Sequence, residues 1–189
     1  MSLGYYETLA SCNGDGTAIT AASRTSMTVA TTGARFSMPA NRLKIGDQLR
    51  LQASGRISCA VTTPGTAVFD LAAGATVIFS TLVLPLNIVV KANVAWNLDV
   101  LGTVRAIGTT GNIFWQGWWL SEASILTALP NVGPGPGGQN VPYNTAPVIG
   151  ANFDTTVTSL WDFFFTQTVV TGSCTLHQYH LALLTSTGF

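Results

Sequence analysis

Apolar and polar residues alternate with a period of two over most of the chain. In Leu49–Arg56, leucine, alanine and glycine positions alternate with arginine, glutamine and serine. The same alternation runs through residues 93–100 and 176–183, and residues 25–30 and 157–165 are rich in strand-forming residue types. A period of two places successive side chains on opposite faces of a strand. The pattern predicts an all-β fold with antiparallel strands.

Turn signals separate these runs. They include Asn13–Gly16, Thr63–Gly65, Gly108–Asn112 and Thr171–Gly172. Such spacing is typical of a sandwich or barrel of short strands, and it predicts about eight to ten strands, the size of a jelly roll. No segment of the sequence has the periodicity of a convincing amphipathic helix, and residues 121–129 would form at most one or two turns.

Two segments depart from the alternation. Residues 1–22 are mostly small and polar, and we expect them to form an extended N-terminal arm. Residues 130–150 contain five prolines and several glycines, and we expect a long loop that orders against a neighbour at little entropic cost. Residues 23–189 are then a single antiparallel jelly-roll β-sandwich domain that carries this loop.

Charged residues are scarce. Asp, Glu, Lys and Arg make up 8% of the chain, against about 25% in an ordinary soluble protein. A free monomer uses interspersed charge to stay soluble and to protect its sheet edges. The composition therefore favours a subunit that neighbours cover in a larger assembly. The zero net charge and the lack of a basic run argue against nucleic acid as a partner, since that binding depends on Lys and Arg.

One uncharged stretch, Leu71–Val90, is long enough to cross a bilayer. It contains Gly74, Pro85 and Asn87, is rich in β-branched residues and has no flanking positive cluster. Two buried strands and a turn explain it better, and no membrane is expected as a partner. Residues 1–7 show no basic stretch followed by an apolar run, so no secretory signal is expected either.

Candidate catalytic and metal-binding groups are few. His177 and His180 are three residues apart on a predicted strand, a spacing that puts them on opposite faces rather than around one metal. The sequence has no obvious carboxylate pair, nucleophile elbow, phosphate loop or zinc-binding spacing. Cys12, Cys59 and Cys174 are widely separated, and we expect small buried residues in a reduced compartment. The sequence predicts no enzyme activity, no cofactor and no metal site.

Aromatic residues form two clusters, at residues 114–119 and 161–165. On a strand, Trp118 faces one side, whereas Trp115 and Trp119 face the other. If both faces are apolar, one covers the core and the other meets a partner subunit. Sugar stacking on an exposed tryptophan is the competing interpretation.

Two stretches resemble the small jelly-roll structural proteins of tailed bacteriophages. In residues 38–58, an asparagine and a short apolar pair precede a Gly-Asp turn and a strand that includes Ser-Gly. In residues 96–108, a long strand rich in Leu and Thr carries a single arginine. The resemblance covers about residues 25–185. It implies a homotrimeric β-sandwich that serves as capsid decoration (cement), head-fibre part or tail-tip module.

The expected function is therefore that of a non-enzymatic capsid decoration protein. It would trimerise and bind across subunits of the phage major capsid protein, on the capsid exterior, after synthesis in the host cytoplasm. The alternative is a head-fibre or tail receptor-binding module that recognises a glycan of the host surface. Residues expected at the subunit or capsid interface are Tyr5, Tyr6, Trp115, Trp118, Trp119, Pro134, Pro136 and Tyr143.

Overall fold

The computed structural model describes residues 4–29, 33–59, 65–125, 137–143 and 150–186 of the 189-residue chain. All regular structure within these residues is β, which confirms the predicted all-β, antiparallel fold class. The strands are β1 (Gly4–Ser11), β2 (Thr25–Ser26), β3 (Phe36–Met38), β4 (Gln48–Cys59), β5 (Thr66–Ala73), β6 (Thr76–Ser80), β7 (Leu84–Pro85), β8 (Lys91–Ala106), β9 (Asn112–Ser121), β10 (Gly137–Val141), β11 (Ser159–Gln167) and β12 (Ser173–Ser186).

These strands form two six-stranded sheets. Sheet A has the order β1–β12–β4–β8–β9–β10. Sheet B follows the order β2–β11–β5–β6, with β3 also paired to β11 and β7 to β5. Three of the twelve strands, β2, β3 and β7, have only two or three residues, and they account for the excess over the expected number.

Strand β4 keeps the alternation that the sequence predicted for it. Leu49, Leu51 and Ala53 are buried, whereas Arg50 is exposed and Gln52 is half-buried on the other face. Because one face of the strand covers the core and the other meets solvent, each residue's place in the period of two decides its environment. The inner faces of both sheets are apolar in this way and share one core.

The centre of that core is the ring of Phe69 on β5. Its centroid lies 4.7 Å from that of Trp96 on β8 and 6.2 Å from that of Trp119 on β9, so it contacts sheet A. Within sheet B it lies 6.0 Å from Phe163 and 5.1 Å from Phe165 on β11. These separations fall in the range of favourable aromatic pairs, and the cluster holds the two sheets together.

Two tryptophans of sheet A lie against a glycine of the neighbouring strand. Trp96 is in register with Gly55 of β4, and Trp115 of β9 is in register with Gly102 of β8. A Cβ atom built on Gly102 would lie 2.6 Å from the Trp115 ring. One built on Gly55 would lie 3.0 Å from Trp96 Nε1 and only 1.8 Å from the carbonyl oxygen of Thr175. The indole rings and the adjacent backbone thus occupy space that any larger residue would need.

The uncharged stretch Leu71–Val90 begins with paired strands rather than a membrane-spanning helix. β5 and β6 pair across the turn at Gly74, and β7 returns along β5. This confirms two paired strands and a turn for residues 71–80, whereas Ile88, Val89 and Val90 at the end of the stretch are exposed. In the described part of the chain, no helix has the length and apolarity needed to span a membrane.

The segment predicted as an N-terminal arm is attached to sheet A over residues 4–19. β1 pairs with β12 along its whole length. Beyond it, the backbone N–H of Gly16 donates to Leu176 O at 2.7 Å, and that of Ile19 donates to Cys174 O at 2.8 Å. Unpaired strand edges are costly to leave open, and this segment covers the free edge of β12.

The predicted Pro/Gly loop, residues 130–150, also contains a strand. Residues 137–141 form β10, which pairs with β9 and extends sheet A by one strand. The prolines do not interrupt this pairing because none lies within those five residues. Residues 130–136 and 144–149 lie outside the described residues.

The glycine–tryptophan contact predicts a large effect from a small substitution. Gly102→Ala should destabilise the fold by about 1–3 kcal/mol, because the added methyl overlaps the Trp115 ring in a packed core. For a domain of this size the melting temperature should fall by roughly 2–12 °C in scanning calorimetry. Gly14→Ala is the control, since a Cβ there meets nothing within 4 Å. Equal melting temperatures for the two variants would contradict the packing described.

Candidate functional site

The tryptophans expected at an interface lie on opposite faces of β9. Trp115 and Trp119 are 2% and 0% exposed and belong to the chain's own core. Trp118 points outward and is 49% exposed. The expectation that all three meet a partner is corrected in this respect: the inner face of β9 packs against sheet B, so only Trp118 offers surface to another molecule.

The remaining expected interface residues are scattered. Tyr6 is exposed on β1 and stacks on His180 with a centroid separation of 5.9 Å. Tyr5 lies in the same strand, where its backbone pairs with Thr185. Tyr143 is half-buried against the core. Pro134 and Pro136 lie outside the described residues.

The outer face of sheet A carries a row of side chains that runs across all six strands. The members come from distant parts of the sequence and are aligned only by strand register. Sequence reasoning singled out Trp118 and His180 of this row, for unrelated reasons. In order from the β1 edge to the β10 edge, the row is Ser11, His180, Gln52, Asp99, Trp118 and Asn140.

Asp99 is the charged centre of the row, and its orientation is fixed. Arg50 donates from Nε to Oδ1 at 3.1 Å and from Nη2 to Oδ2 at 2.7 Å, and Gln52 Nε2 donates to Oδ2 at 3.0 Å. The hydrogen bond to Asp99 raises the pKa of Arg50. The guanidinium and the carboxylate neutralise each other. Oδ2 already accepts two hydrogen bonds, whereas Oδ1 accepts one and has room for another.

The two histidines are held by different neighbours. His180 lies within 3.1 Å of Thr8 Oγ1 and 3.3 Å of the Tyr6 hydroxyl. His177 lies at a β-bulge in β12, where its Nδ1 is 2.7 Å from a carboxylate oxygen of Asp15. Among the described residues, no group of three or more His, Cys, Asp or Glu side chains is arranged to hold a metal ion.

The cysteines are free thiols with different exposure. Cys59 and Cys174 are buried, as expected, and burial raises the pKa of the Cys174 thiol well above its ordinary value. Cys12 is half-buried, and its Sγ accepts a hydrogen bond of 3.0 Å from the backbone N–H of Tyr179. A thiol with a raised pKa is a poor nucleophile, so Cys174 has a packing role.

An open depression of about 450 Å³ lies over this row. Its rim and floor combine one exposed indole ring, several amide and hydroxyl groups, a carboxylate and an imidazole. It is lined by Cys12, Gln52, Ala53, Ser54, Asn97, Leu98, Asp99, Trp118, Gln178, Tyr179 and His180.

A second surface lies at one end of the sandwich, and we call it the apolar end: Ile88, Val89, Val90 and Val170. All four side chains are 45 to 64% exposed. Val90 directly precedes β8, whose Lys91 is in register with Cys59, and Val170 lies in the turn before β12, whose Ser173 is in register with Ser58. Since Ser58 and Cys59 end β4, both parts of the apolar end lie where these three strands meet.

The charged residue next to the apolar end in sequence is already paired. Lys91 directly follows Val90, and its Nζ lies 3.9 Å from a carboxylate oxygen of Glu122. Exposed apolar residues are common singly, but clusters of them on a folded protein usually mark a contact with another molecule.

No protein-family model matches the chain, and no curated protein is significantly similar to it.

The exposure of Trp118 can be measured directly, because the other four tryptophans are at most 2% exposed. Acrylamide should quench one accessible component of the intrinsic fluorescence, and Trp118→Phe should remove it. Gln116→Ala, the neighbouring outward-facing position on β9, should leave it unchanged. An accessible component that survives in Trp118→Phe would mean that another indole reaches solvent.

Proposed function

We propose that the chain is a non-enzymatic structural protein of a tailed-phage virion. In this proposal it decorates the capsid exterior, trimerises and binds across neighbouring subunits of the major capsid protein. The observation that carries the proposal is the apolar end, four exposed valine and isoleucine side chains at one end of a sandwich. Apolar surface that becomes buried contributes about 25 cal/mol per Å², although association itself absorbs much of that gain.

The arrangement of charge supports an assembly subunit. Five of the eight Lys and Arg residues already pair with a carboxylate of the same chain. Little charge therefore remains to steer long-range association or to keep a monomer soluble. Contacts between subunits would depend on apolar packing and hydrogen bonds. The five pairs are Arg24–Asp70, Arg35–Asp162, Arg42–Glu7, Arg50–Asp99 and Lys91–Glu122.

We further propose that the topology is a jelly roll. A jelly roll consists of eight strands in two sheets that combine two Greek keys. The order β1–β12–β4–β8 in sheet A and β2–β11–β5–β6 in sheet B supports this topology, because the chain crosses repeatedly from one sheet to the other and its early and late strands lie side by side. β9 and β10 would then be an addition at one edge of sheet A.

The number of copies per particle tests the role in the virion. Quantitative mass spectrometry of purified particles should find hundreds of copies, in fixed proportion to the major capsid protein. Such a proportion follows if each copy occupies one of many identical sites on the shell. A few copies, or a few tens, would instead assign the chain to a vertex fibre or to the tail.

The apolar end can be tested as the subunit contact of the trimer. Val89→Asp should weaken the trimer by about tenfold or more in analytical ultracentrifugation, because an unpaired carboxylate would have to be buried. Ile45→Asp is the matched control, since this residue is similarly exposed but lies in the turn before β4, at the opposite end of the sandwich. If Val89→Asp leaves the trimer intact while the fold is unchanged, the apolar end is not the contact.

A further inference from the structure

The depression on the outer face of sheet A contains polar side chains without a hydrogen-bond partner in the described part of the chain. The side chains of Ser54, Asn97 and Gln178 make no hydrogen bond to any described residue. Ser54 is in register with Asn97 on one side and with Gln178 on the other, so the three form a second row beside that of Asp99. Each amide offers both donors and an acceptor.

Trp118 supplies the apolar part of the same depression. It is in register with Asp99, so an exposed aromatic ring lies next to a carboxylate of fixed orientation. A flat aromatic surface beside a few convergent polar groups is the usual composition of a small-molecule site. Molecules that match it have one apolar face and hydroxyl groups around their edge. Saccharide rings have this form, with C–H groups on a face and hydroxyls at the rim.

Charge favours a neutral saccharide. Asp99 carries the one formal negative charge among the lining residues, and its partner Arg50 is already engaged in two hydrogen bonds with it. No Lys or Arg lines the depression within the described residues. An anionic sugar would lose water without gaining a cation in return. Hydroxyl groups, in contrast, can donate to Asp99 and exchange hydrogen bonds with the amides.

The size of the depression agrees with such a ligand. Its volume of about 450 Å³ lies within the range of small-molecule sites and suits a mono- or disaccharide unit. It is open, so a longer chain could continue across the sheet towards Asn140 of β10 or towards Tyr6 and His180 near the β1 edge.

We propose that the outer face of sheet A binds a neutral saccharide, with one ring stacked on Trp118 and its hydroxyls bonded by Asp99, Gln52, Asn97 and Gln178. This site lies on a different surface from the apolar end. The two are independent, since the saccharide site would operate in a decoration protein or in a fibre.

The test is a titration of the intact protein with defined sugars. Binding is first screened on an array of neutral hexose and N-acetylhexosamine oligosaccharides. The same array carries sialylated and uronic acid oligosaccharides as anionic probes. Each neutral probe that binds is then titrated by calorimetry, and it should also protect Trp118 from acrylamide quenching in a saturable manner. Trp118→Ala should weaken binding by about tenfold or more, and Asn97→Ala and Gln178→Ala should each weaken it.

Leu160→Ala is the matched control. Its side chain is 47% exposed, close to the 49% of Trp118, but it lies on β11 of sheet B. Binding that remains at full strength in Trp118→Ala would overturn the proposal, as would binding of anionic probes alone. The absence of binding to all neutral probes at about 10 mM would overturn it as well. The effect of Val89→Asp on the trimer does not depend on any of these results. Saccharide binding and the trimer contact are therefore tested independently of each other.

Discussion

Phe69 contacts aromatic rings of both sheets, and the orientation of many other residues follows from these contacts. Once Trp119 is fixed against Phe69, the period of two in β9 turns Trp118 outward. The same argument applies to β8. Trp96 is buried against Phe69, and Asp99, three residues later, therefore lies on the outer face of the strand. Core packing thus determines which side chains of β8 and β9 lie on the outer face of sheet A.

Neutrality is the second organising feature of the molecule. Most of its few charged side chains form ion pairs within the chain. Two buried carboxylates of sheet B, Asp70 and Asp162, pair with Arg24 and Arg35. Both proposed contacts therefore rest on short-range forces, apolar packing at the apolar end and stacking with hydrogen bonds at Trp118. Such contacts respond weakly to salt, since screening acts mainly on exposed charges.

The sequence predicted the strands better than it predicted the site. Alternation located β4, β8 and β12 and the buried side of β4, because each strand's pattern is local. On β9, both faces are aromatic, and alternation alone separated Trp118 from Trp115 without showing which face is buried. The buried face depends on contacts between strands, such as the one with Gly102, where a Cβ atom would collide with the Trp115 ring.

The row across sheet A depends on the long-range register of six strands, including a bulge in β12, and no local pattern encodes it.

The pairing of β1 with β12 matters for the use of the molecule as a scaffold. Gly4 and Ser186 face each other across β1 and β12, at the end of the sandwich where β4 begins. A peptide inserted next to Gly4 and another next to Ser186 would be joined at neighbouring positions, at the end of sheet A opposite the apolar end. Two peptides displayed there would start side by side.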